Sequence, residues 1–181
     1  MRALASLVQG IDRLNEWIGR GAAWLILLLV LVQFVVVVLR YVFGVGSLWL
    51  QELIVYLHAF NFMVGSGYTL LHDGHVRVDI IYRGARATYK AVVDLLGSVI
   101  MLIPVCSLIF LYSYQYVLDS WASLEGSEET SGIQGVFLLK TVILAFAVLV
   151  GLQALSLAGR SLLRLLGRGM SDSGQPTTEH A

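Results

Sequence analysis

Charge is scarce in this chain, and so are cysteine and proline. Asp, Glu, Lys and Arg together make up 13% of the residues against 57% hydrophobic, whereas a soluble domain carries roughly 25% charge. That shortage excludes a water-facing globular surface and leaves an integral membrane protein. The single cysteine, Cys106, falls within an apolar run, so no internal disulfide forms and the thiol serves as a small packing group. Cations and anions balance, 12 against 12, which removes any bulk attraction to nucleic acid. Also missing are the phosphate-binding G-x-x-x-x-G-K-[ST], H-E-x-x-H and C-x-x-C patterns. ATP hydrolysis and zinc chemistry therefore have no residues to work with. Of the four histidines only His58 lies deep in an apolar run, and haem needs axial ligands from facing helices at matched depth. His72 and His75, three apart, are few for a metal site, and hydrogen bonding at a helix end accounts for them.

What is present is four apolar runs, at about 22–43, 49–71, 91–118 and 133–157. Each is long enough to cross a hydrocarbon layer of about 30 Å, which takes roughly 20 helical residues. The expected fold is all-α, one four-span membrane domain over residues 1–169, followed by a disordered cytoplasmic tail of Ser, Thr, Gly and Pro at 170–181. Pro104 sits near the middle of the long third run and should kink it. Asp12, Arg13, Glu16 and Arg20 interrupt any secretory signal core, so no cleavage is expected. Within residues 3–20, Leu4, Leu7, Val8, Ile11, Leu14 and Ile18 recur at helical spacing, which predicts an amphipathic helix on the membrane surface. A polar extension of the first span satisfies the same pattern.

The cations set the orientation. Arg2, Arg13 and Arg20 precede the first span, Arg77, Arg83, Arg86 and Lys90 lie between the second and third, and Arg160, Arg164 and Arg168 follow the fourth. The connections 44–48 and 119–132 contain no Lys or Arg. Basic residues concentrate in cytoplasmic loops, so both termini and the middle loop should be cytoplasmic. The 119–132 loop, with Asp119, Glu125, Glu128 and Glu129, then gives the outer face a negative patch.

Polar groups inside the runs carry the functional signal. The second run holds Glu52, His58 and Asn61, and ionisable groups at such depth turn toward protein or water. It is therefore expected to be the inner helix that the others surround, with a partner subunit covering what remains. The short 44–48 turn makes the first two spans antiparallel neighbours and brings Arg40 and Glu52 to similar depth, where they either pair or Arg40 snorkels to headgroups alone. In the fourth run Ala147, Gly151, Ala154 and Ala158 share a face with Lys140. Small residues at that spacing admit a second helix, and Lys140 either points into that contact or snorkels. The leucines and arginines beyond Leu157 read as a short amphipathic helix.

The ordered set Arg40-Tyr41-Val42-Phe43-Gly44, Trp49 with Glu52, Gly74-His75-Val76-Arg77-Val78-Asp79 and Phe137-Leu138-Leu139-Lys140 resembles the small membrane subunit of tripartite ATP-independent periplasmic (TRAP) transporters, the DctQ-like family. Gln51-Glu52 stands where such subunits often carry two adjacent acids. The resemblance implies a non-catalytic subunit in a bacterial inner membrane, packed on the scaffold of a large membrane subunit and helping to dock a periplasmic solute-binding protein. It implies sodium-driven uptake of organic acids, the transport site and sodium coupling residing in the large subunit, and no cofactor here. It assigns Arg40, Glu52 and Lys140 to packing and charge pairing near the periplasmic side, and Gly74, His75 and Asp79 to the cytoplasmic turn, Gly74 supplying freedom to reverse. The alternative is an autonomous four-span carrier or channel in which Glu52 titrates.

Overall fold

The computed structural model describes residues 2–75 and 84–167. Those residues form four long helices, each of sufficient length and apolarity to cross a membrane: α1 (Arg2–Val42), α2 (Leu48–Leu71), α3 (Ala87–Ala122) and α4 (Val136–Leu165). No strand occurs among them. Successive helices run antiparallel, so the bundle has a loop end, with the 43–47 turn and the 123–135 connection, and a terminal end, with the α2–α3 connection.

Of the two readings of residues 3–20 the extension of the first span is the one observed, and the break expected after Leu157 does not occur. Residues 3–20 and the first span are one helix of 41 residues, roughly 60 Å at 1.5 Å per residue. No separate surface helix forms, because the inward side of residues 3–20 finds protein: Val8 and Asn15 are fully buried. The stretch after Leu157 likewise continues α4 without interruption, and Gly159 receives Val8, whose Cγ2 would lie 2.9 Å from an added Cβ. An amphipathic pattern has the same period whether its apolar side meets lipid or a helix.

The central helix is α4, not α2. Ten residues of α4 are buried against Val64 and Gly67 alone in α2. α4 touches all three other helices, α1, α2 and α4 pack mutually, and α3 leans on α4. Val64, Val142 and Leu149 form the apolar core where α2 meets α4, with Ile18 and Met63 packed against it. Along the proposed small-residue face, Ala147 and Ala154 are buried, and Gly151 lies beneath Cys106, whose Cβ is 3.5 Å from where a glycine substituent would begin.

Pro104 acts on α3 by widening it. Residues Gly97–Leu102 are π-helical, and the Ile103 N–H reaches the Ser98 carbonyl. Proline removes an N–H and crowds the carbonyl four residues back. Wider turns just before it relieve that conflict.

Each helix ends on a residue of positive φ: Gly44 (66°), Asp73 (54°), Leu124 (46°) and Gly167 (70°). After α2 the Gly74 N–H bonds the Thr69 carbonyl at 2.9 Å and Asp73 N–H the Leu70 carbonyl at 3.4 Å, a Schellman cap. The left-handed conformation therefore belongs to Asp73, and the freedom expected of Gly74 is not what turns the chain. His75 follows the cap and is exposed. Asp79 lies outside the described residues, as does the 170–181 tail.

Candidate functional site

The loop end is tied together by residues distant in sequence. α3 stops in a second Schellman cap, with Leu124 N–H on the Trp121 carbonyl (3.2 Å) and Glu125 N–H on the Ser120 carbonyl (3.0 Å). That cap turns Glu125 toward the first turn of α4. Its carboxylate takes the Lys140 ammonium at 2.5 Å, and its carbonyl takes the Phe137 N–H at 3.3 Å. Lys140 also lies 4.0 Å from the centre of the Tyr116 ring, so it is held between a carboxylate and an aromatic face. Its side chain is 14% exposed, which settles its orientation toward protein. The ammonium beside Glu125 holds that carboxyl below the usual carboxylate value. Nearby, the Trp121 indole donates to Thr141 Oγ1 at 2.8 Å and meets Phe137 edge-on at 4.7 Å.

Glu52 holds the other side of the loop. Its two oxygens accept the Ser127 hydroxyl and the Ile133 backbone N–H, each at 2.6 Å. Arg40 is exposed and makes no ion pair with Glu52. The expected pair does not form: the carboxylate is turned instead to loop groups 75 and 81 residues further along. Gly132 sits between these partners: an added Cβ would come 2.3 Å from Ser127 Oγ and 2.6 Å from Glu52 Oε1. Ser127 and Gly132 carry no motif, and only the folded loop brings them to Glu52. Trp49, one turn before Glu52, is 49% exposed. With Glu52 and Glu125 engaged, Glu128 and Glu129 are the carboxylates of the loop left facing outward.

A second polar cluster joins α1 to α4 nearer the terminal end. Asn15 Nδ2 donates to Gln153 Oε1 (2.8 Å), Gln153 Nε2 donates to Asp12 Oδ1 (3.0 Å), and the Ser156 hydroxyl donates to the same oxygen (2.6 Å). Arg160 approaches Asp12 at 3.7 Å. Asn15 and Gln153 are wholly buried, and Gly67 of α2 leaves room for Asn15, whose Oδ1 would lie 2.3 Å from a Cβ there. Asp12 lies off the apolar stripe of residues 3–20, so the pattern of that stripe does not point to α4 as its partner. The available signal was Gln153 and Ser156 interleaved with the small residues of α4. At the same end Glu16 bridges Arg20 (2.9 Å) and His72 (2.6 Å), so His72 serves a helix–helix contact.

His58 and Asn61 do not join either cluster. His58 is exposed, stacked on Phe62 with ring centres 6.3 Å apart, and Asn61 is half-buried. Among the described residues no three His, Cys, Asp or Glu side chains come together. An apolar groove of about 500 Å³ opens along α1, α2 and α4, lined by residues such as Leu25, Tyr56, Phe60 and Leu139.

Fold and clamp together define a multi-pass membrane protein of four helices in which Glu52, Glu125 and Lys140 tie helices and loop to one another. Residues 29–167 match the DctQ component of tripartite ATP-independent periplasmic transporters, and the chain belongs to that family. No curated protein and no solved structure gives a match.

Proposed function

We propose that this chain is the small scaffold subunit of a sodium-driven TRAP system for organic acids, with its loop end in the periplasm and both termini in the cytoplasm. In this reading a large membrane subunit carries the transport site and the sodium coupling, and the small subunit braces it in the inner membrane. The clamped loop presents Glu128 and Glu129 to the periplasmic solute-binding protein. The supporting observation is the clamp itself: Glu52 and Lys140 hold residues 123–135 against the ends of α2 and α4. Membership of a transporter-component family agrees with a supporting role.

The test is uptake and assembly with all three components. Glu52→Gln should lower recovery of the assembled membrane complex, whereas Glu179→Gln should leave it unchanged. Charge reversal at Glu128 and Glu129 together should leave recovery intact and depress uptake driven by the binding protein. Solute or proton flux from the chain alone in proteoliposomes would overturn the reading in favour of an autonomous carrier.

A further inference from the structure

The polar residues of α2 face two ways. Glu52 is used by the loop and Gly67 by Asn15, but a third side of the helix is open at its middle, while Gln51 and Thr69 at its ends are half-buried. At 100° per residue, Gln51, Val55, His58, Phe62, Gly65 and Thr69 fall on one stripe. Val55, His58 and Phe62 are exposed, and a Cβ at Gly65 would have no atom within 4 Å. His58 lies near mid-length of α2 and makes no hydrogen bond among the described residues. At the same distance from the 43–47 turn, on the antiparallel α1, Gln33 is exposed as well. α2 is the least apolar of the four spans.

Hydrocarbon offers an imidazole no partner, and polar groups left unmet at that depth are strongly disfavoured in lipid. The other outward faces differ. On α3, Met101, Leu108 and Leu111 are exposed, and Ser107 satisfies its hydroxyl on the Ile103 carbonyl. Those faces suit acyl chains; the His58 stripe does not. The absence of a side chain at Gly65, one turn from Phe62, leaves a notch of the kind that lets helices approach closely.

The geometry points to the Gln51–His58–Gly65 stripe of α2 as the surface that seats a spanning helix of the large TRAP subunit. That helix carries a hydrogen-bonding side chain opposite His58 and a bulky apolar side chain over Gly65. The inference rests on the small-subunit reading and adds to it the face and the chemistry of the contact.

The experiment uses the full chain, tagged and co-expressed with its large subunit in membranes. A photoreactive phenylalanine derivative replaces Phe62 in one sample and Leu111 in the other. The label at 62 should give an adduct with the large subunit, and the label at 111 should give none. His58→Leu should reduce recovery of the complex several-fold while leaving the thermal stability of the isolated chain unchanged, and His58→Asn should restore much of it. An adduct only from position 111, an adduct joining two copies of this chain, or full recovery with His58→Leu overturns the assignment of the face and leaves the small-subunit reading standing. Failure of the unmodified chain to bring down any large membrane subunit overturns both.

Discussion

At the residue scale the loop end turns on a leucine in a conformation that leucine disfavours. Leu124 has φ of 46° and is 66% exposed, so its side chain gains little where it sits while its backbone carries a cost of roughly 1–2 kcal/mol. Leu124→Gly should therefore raise the thermal midpoint in detergent by an amount corresponding to about 1 kcal/mol. Gly132→Ala should act oppositely, because the new methyl would overlap Ser127 Oγ and Glu52 Oε1. A loss of about 1–3 kcal/mol is expected from overpacking, read by thermal unfolding followed through circular dichroism in detergent. Glu125 supplies a pH dependence. Its carboxyl is held low by Lys140, so the contact contributes fully above the unfolded glutamate value and is lost as pH falls through the depressed folded value. Wild type should exceed Glu125→Gln in thermal midpoint at pH 7, and the difference should begin to shrink near the unfolded glutamate value of about 4.3 and vanish only below the depressed folded value.

At the element scale α1 and α4 are joined by a chain of buried hydrogen bonds through Asn15, Gln153, Asp12 and Ser156. Removing one partner strands a buried polar group at about 1–3 kcal/mol. Asn15→Leu and Gln153→Leu should each destabilise, and the double variant should lose less than the sum of the two, measured as a double-mutant cycle on chemical unfolding. This contact shows where sequence reading stopped. Length and apolarity made the four spans legible, since hydrophobic runs near twenty residues have few other uses. Which side of residues 3–20 met protein was not legible, because Asp12 and Asn15 look equally suited to solvent. The polarity of α2 was visible too, but its direction was not: a partly polar span reads as an inner helix until the burial of α4 is known. Glu52 was found from its depth, while its partners Ser127 and Ile133 are distant in sequence and were hidden by a nearer cation, Arg40.

At the scale of the whole molecule the helices differ greatly in length. The 41 residues of α1 reach far beyond a hydrocarbon layer of about 30 Å, whereas the 24 residues of α2 span it with little to spare. The contact of Val8 with Gly159 and the Asn15–Gln153 bond therefore hold a stem that extends past the end of α2. Gly159→Leu should loosen that stem without reaching the loop end. Amide exchange should rise in residues 2–16 and 156–165, while exchange around Glu125 and Phe137 stays as in wild type.

The loop between α3 and α4 is fastened at Glu125, Ser127 and Ile133 before anything lands on it. A surface of this kind, unlike a lid, has no closing stroke to make: it keeps the same shape whether or not a partner is present. Under the proposed docking role, little ordering entropy would then be lost at each landing, as repeated delivery and departure of a solute-binding protein require.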